Sequence, residues 1–132
     1  MKHLLIVLLC LPVCTLAQKK PLDHSVYDNW QSIGERLISP DGKWIIYTVT
    51  PQEGDATLLL RSADNPAYRK EIPRGYGALI TEDSRFLAFR IRPLFRETRE
   101  ARIKKKRPDE MPKDSIGIIE LGKEEVFRAA RV

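Results

Sequence analysis

What most constrains this chain is that it repeats itself. Leu37-Ile38-Ser39-Pro40-Asp41-Gly42-Lys43-Trp44-Ile45-Ile46-Tyr47 and Leu79-Ile80-Thr81-Glu82-Asp83-Ser84-Arg85-Phe86-Leu87-Ala88-Phe89 match in residue character almost throughout, at an offset of 42 residues. Ser39-Pro40-Asp41-Gly42 suits a type I turn, with proline setting φ at the second position and glycine at the fourth, so the flanking runs read as the strands of one hairpin. Past the turn, Trp44, Ile46 and Thr48 fall on one face and Ile45, Tyr47 and Val49 on the other. Both faces are apolar, as expected of a strand covered on both sides. A period of about 40–45 residues built from four short strands is that of a propeller blade.

The rest of the chain supplies strands at matching spacing. Runs from Arg36 to Ser39, Trp44 to Thr50, Thr57 to Ser62 and Arg69 to Ile72 make a first unit, with turn chemistry at Asp64-Asn65-Pro66. Ala78 to Thr81, Phe86 to Ile91, Ser115 to Leu121 and Glu125 to Ala129 make a second. The third strand of that unit is due near residue 99 but starts at Ser115, which predicts an insert with a helical turn near Glu97 to Ile103. Ahead of the first unit, Asp23 or Ser25 can cap a short helix through Val26, Trp30 and Ile33 that Gly34 ends. The expected fold is all-β: about two four-stranded antiparallel blades of an incomplete β-propeller, preceded by a signal peptide and a short helix. The expected boundaries are a leader at 1–17, a helical lead-in at 18–34 and a partial propeller at 35–132, with blades at 35–76 and 77–132 and the basic insert at 93–114. Known rings use at least four blades, because each buries its faces only against neighbours. The chain therefore reads as the front of a longer protein or a truncated product.

The first residues carry the marks of export. Lys2 gives a positive start, Leu4 to Cys14 an apolar run broken only by Pro12, and Thr15-Leu16-Ala17 a small-x-small cleavage site before Gln18. The run from Leu4 to Ala17 falls short of the roughly 20 residues that cross a bilayer, so no stable membrane anchor is expected. Cys10 and Cys14 are the only cysteines and both lie in this leader. The mature chain then has no thiol for a disulfide, a zinc site or a nucleophile. The formal charge is +5, and the excess is local: Arg90 to Arg107 holds nine Lys or Arg against Glu97 and Glu100.

The remainder offers few residues for catalysis. No mature serine (Ser25, Ser32, Ser39, Ser62, Ser84, Ser115) has glycine two residues before it, as a nucleophile elbow requires. His24, the only mature histidine, precedes every serine and reads as a surface or lead-in residue. Gly42-Lys43 and Gly122-Lys123 are followed by Trp44 and Glu124, not by the hydroxyl residue of a phosphate loop. Asp41 and Asp83 read as turn residues and not as metal ligands. No catalytic, cofactor-binding or metal residues are expected; the residues singled out are those of the repeat motif, Ser39, Pro40, Asp41, Gly42, Trp44, Asp83 and Phe86. Trp30 and Trp44 read as core anchors. The basic insert reads first as a solvated loop, with attraction to an anionic polymer or to another part of the parent protein as the alternative. Nucleic acid is not an expected partner, since Phe95 is the only aromatic in the stretch for base stacking.

With Tyr27-Asp28-Asn29-Trp30-Gln31-Ser32-Ile33, Ile38-Ser39-Pro40-Asp41-Gly42-Lys43-Trp44, Ile80-Thr81-Glu82-Asp83-Ser84-Arg85 and Lys104-Lys105-Lys106-Arg107-Pro108-Asp109-Glu110-Met111-Pro112-Lys113-Asp114-Ser115, the chain resembles the N-terminal propeller region of exported bacterial serine peptidases of the prolyl oligopeptidase family, whose repeats are of the TolB-like, WD40-like type. The resemblance implies a periplasmic or extracellular protein. It also implies a propeller stacked on a C-terminal α/β-hydrolase domain, screening which peptides reach the serine. That domain and the further blades are the implied partners, and peptides the implied substrates; this chain has no triad of its own. Glu124-Glu125 is similar to the glutamate pair with which some dipeptidyl peptidases hold a substrate amine, although here it begins an expected strand. The alternative is a non-catalytic TolB-like binding propeller for protein or polymer.

Overall fold

The structure, a computed structural model, describes Tyr27 and residues 30–130. The expected leader and the first part of the expected lead-in helix lie outside these residues. The described chain forms two four-stranded antiparallel sheets, each an up-and-down meander. The first is β1 (Gln31–Ile38), β2 (Trp44–Pro51), β3 (Thr57–Ser62) and β4 (Arg69–Pro73). The second is β5 (Gly75–Ile80), β6 (Phe86–Ile91), β7 (Ser115–Glu120) and β8 (Val126–Ala130). β-branched and aromatic residues dominate β2 and make up half of β6, which suits a pleated surface. Arg74 alone joins the sheets, and the insert between β6 and β7 folds into a helix, α1 (Phe95–Ile103). No helix among the described residues is long and apolar enough to cross a membrane.

The sheets stack face to face on one core. Ile46, Leu58, Leu60 and Ile72 come from the first, and Ala78, Leu87, Phe89, Ile91 and Ile119 from the second. Each fully buried aliphatic or aromatic side chain is worth about 1.5–3 kcal/mol over leaving it in water. The register makes the two sheets copies of each other in orientation as well as in sequence. Leu87, Phe89 and Ile91 face the first sheet, and their counterparts at the 42-residue offset, Ile45, Tyr47 and Val49, lie on the first sheet's outer face. Ile46 faces the second sheet, and its counterpart Ala88 lies on that sheet's far side. The first strand of each sheet also breaks register, between Ile33 and Arg36 in β1 and, one residue later on the 42-residue offset, between Tyr76 and Leu79 in β5. Glu35, in the first bulge, accepts the amides of Gly77 (2.8 Å) and Ala78 in the second.

The structure departs from the sequence reading in several places. Gln31 to Gly34 are strand and not the end of a helix: they add to the edge of β2, with Ile33 opposite Val49. Gly34 is there for close approach and not to stop a helix, since a Cβ on it would lie 2.4 Å from Thr48 Oγ1. Trp30 is no core anchor. It is 56% exposed and stacks edge-on with Tyr27, because the strand begins one residue after it and no second layer reaches it. Nor are both faces of β2 covered. The outer face of the first sheet leaves Ile33, Ile38 and Ile45 exposed, and that of the second leaves Leu79, Ile118 and Phe127 exposed. The strand expected from Glu125 starts at Val126, and the helical turn expected near Glu97 is a full helix from Phe95.

Candidate functional site

Up-and-down sheets have two ends, and here they differ in chemistry. One end holds the repeat turns. Gly42 N donates to Ser39 O (2.9 Å) and Ser39 N to Trp44 O (3.0 Å), closing the hairpin. Gly42 takes φ +73°, a conformation that costs glycine nothing. The buried Ser39 hydroxyl donates to Asp41 and accepts the amide of Trp44 (2.9 Å), while Asp41 also accepts the amide of Lys43 (3.1 Å). Thr81 and Asp83 reproduce this network: Thr81 Oγ1 donates to Asp83 (2.5 Å) and accepts the amide of Phe86 (3.0 Å), and Asp83 accepts the amide of Arg85 (3.2 Å). Ser84, at φ +55°, stands where the first turn has glycine, and its hydroxyl accepts the amide of Asp41 (3.2 Å), tying the turns together. Pro40 sits exposed at the second turn position. Trp44 packs edge-on against Tyr68, and Phe86 lies beneath the Arg85 guanidinium. Ser39, Asp41, Gly42, Trp44, Asp83 and Phe86 each take part in the bonds or ring contacts of the two turns.

Those bonds set a pH response. The Ser39 hydroxyl, then the Lys43 amide, hold the Asp41 carboxyl below its ordinary value of 3.8; the Thr81 hydroxyl, then the Arg85 amide, do the same for Asp83. With the folded pKa depressed, the unfolded chain binds more protons in this window. The stabilisation is thus complete above the ordinary value and lost as pH falls through the folded one. Denaturation midpoints measured from about pH 6 to pH 2 should fall on the acid side, and an Asp41→Asn/Asp83→Asn variant should show a shallower fall. Parallel curves for variant and parent would refute this.

The opposite end gathers the β2–β3 loop, the Arg74 junction and the insert. Between them lies a partly open groove of about 890 Å³. Arg74 takes φ +64°, an unusual conformation for a residue with a side chain. Its amide donates to Ala56 O (2.7 Å), its carbonyl accepts the Arg92 amide (3.0 Å), and its guanidinium donates to Arg92 O (3.1 Å). The Arg92 guanidinium lies 4.4 Å above the Tyr76 ring, and the Tyr76 hydroxyl donates to Asp114. Across the groove, Asp55 accepts the Phe95 amide at the start of α1 (2.9 Å), and Glu53 pairs with Arg99 (3.0 Å).

The reading from sequence missed this groove, although its signal was present: in a meander, alternate loops share an end, which groups residues 51–56, Arg74 and the insert. The other candidates are placed apart. Ser62 accepts the Asn65 amide in a turn, Ser32 and Ser115 lie on strands, and His24 and Ser25 fall outside the described residues. Glu124 is bound to Lys70 (2.5 Å), linking the outer strand of the first sheet to the β7–β8 turn. No group of three or more His, Cys, Asp or Glu able to hold a metal ion occurs among the described residues. No protein-family model, curated protein or solved structure matches the chain.

Proposed function

We propose that the two sheets are consecutive blades of an incomplete β-propeller, forming the N-terminal portion of an exported serine peptidase of the prolyl oligopeptidase family. In that protein they help to gate peptide access to a hydrolase domain, and they do no catalysis themselves. The observation that carries the reading is the orientation of the repeat. Each sheet presents the same positions in the same direction, as successive blades around an axis do, and apolar side chains remain exposed on both outer faces. Such faces suit further blades packed against each of them, as in a ring that later units complete. The sequence resemblance and the apolar leader support the peptidase and its export to the periplasm or beyond. The groove at the loop end gives specific support to the second reading, a TolB-like binding propeller with no hydrolase.

Translation of the transcript beyond Val132 in all three frames tests this. The expected result is further units at the same spacing, then an α/β-hydrolase region with Gly-x-Ser-x-Gly and its serine, aspartate and histidine in that order. Blades without a hydrolase would move the assignment to the binding propeller. A stop followed by unrelated sequence, together with a monomeric and cooperatively folding chain, would overturn both.

A further inference from the structure

We propose that the groove at the loop end binds a peptide through a carboxylate held by Arg74, Arg92 and Arg102. The first ground is charge already spoken for and charge that is not. Every carboxylate lining the groove has a partner: Glu35 the Gly77 and Ala78 amides, Glu53 the Arg99 guanidinium, Asp55 the Phe95 amide and Asp114 the Tyr76 hydroxyl. Among the described residues, Arg74, Arg92 and Arg102 form no ion pair, though all three line the same cavity. Such guanidinium groups, each with donors in a fixed fork, are suited to bidentate carboxylate binding.

The second ground is that two of the three are held in place before any ligand arrives. Arg74 is bonded through backbone and side chain to both neighbouring loops, in a left-handed conformation that only a surrounding structure maintains. Arg92 is held with its guanidinium carbon 4.4 Å from the centre of the Tyr76 ring, a contact that restrains it and leaves N–H groups to donate. Positions fixed in this way cost little ordering on binding. Arg102, exposed on α1, comes from the insert, so the insert completes the site.

The third ground selects the ligand. The volume falls within the roughly 300–1,000 Å³ usual for small-ligand sites. A polyphosphate or other polyanion would meet four carboxylates in the same groove, whereas a peptide offers one carboxylate to the arginines and amide N–H groups to the lone pairs that remain. The carboxylate can come from an acidic side chain or from a C-terminus. The site lies within the two sheets and does not depend on flanking blades or a hydrolase, so its fate is separate from that of the propeller reading.

Fluorescence anisotropy with the full chain at low micromolar concentration tests it. The probes are three labelled alanine-based pentapeptides: one with a central glutamate and an amidated end, one with a central glutamine and a free end, and one with glutamine and an amidated end. Binding of either carboxylate peptide at least tenfold tighter than the neutral one is expected, the tighter of the two naming the source. Arg92→Ala and Arg102→Ala should each weaken it about tenfold, as loss of a charge-assisted pair does. Arg96→Ala, on α1 but outside the groove lining, should leave it within about twofold, and circular dichroism should show all variants folded. Equal binding of the three peptides, equal loss in all variants, or displacement by inorganic phosphate at concentrations where acetate has no effect would overturn the proposal.

Discussion

Replacing Phe89 by alanine is expected to lower the free energy of unfolding by about 3–5 kcal/mol. Phe89 is 2% exposed at the middle of β6, and its ring lies over Gly117 of β7 in the shared core with Ile46, Leu58 and Leu60. The cost has two parts, the lost transfer of the ring out of water and the cavity that remains because sheets held by backbone ladders cannot close over it. Gly117 deepens the second part, since a glycine has no side chain with which to fill the gap. A domain of this size has about 5–15 kcal/mol of stability in all, so the variant should stand near the edge of folding. Urea titration should move the midpoint down with little change in slope, and in a single transition, because residues of both sheets share one core. A loss below about 1 kcal/mol would mean that the sheets do not pack through this ring.

The residues legible in the sequence were those whose role is decided within a few positions of the chain. Ser39-Pro40-Asp41-Gly42 could be read as a turn because proline, aspartate and glycine act there on their own backbone, and the bonds from Ser39 and Asp41 to Lys43 and Trp44 are all local. β3 and β6 begin and end where turn residues bound their apolar runs. Gln31 to Gly34 were not legible in this way. Their conformation is decided by the free edge of β2, far along the chain, and a glycine needed for contact with Thr48 looks the same in sequence as one that stops a helix. The exposure of Ile45 beside the burial of Ile46 escaped for a related reason: alternation says that two faces exist but not which of them a second sheet will cover. The groove was hidden most completely. Arg92 and Arg102 read as one solvated run with Arg96, Lys104 and Lys105, and only the meander separates those that line a cavity from those that do not. For Arg74 the meander gives the place but nothing local gives the conformation, because an arginine in a left-handed conformation is imposed by the junction it occupies.

Gly117→Ala is expected to destabilise by about 1–3 kcal/mol, and to do so only while Phe89 is present. A Cβ at this position would lie 2.3 Å from Phe89 Cε2 and 2.5 Å from Cζ, well inside contact distance. The ring cannot swing away, since it is packed within the buried cluster, so the strain must pass into β6 and β7. Away from this clash, alanine is the better strand residue by roughly 0.5–1 kcal/mol, because glycine loses more backbone freedom on folding. The two effects have opposite signs, and removing the ring should leave only the second. In the Phe89→Ala background, Gly117→Ala should therefore be neutral or stabilising, with its methyl group occupying part of the vacated space. A double-mutant cycle measured by urea denaturation should give a coupling of more than about 1 kcal/mol between the positions, with the double variant more stable than the sum of the single losses. Additive losses would show that Gly117 is required by something other than the ring, such as the backbone of β7 itself.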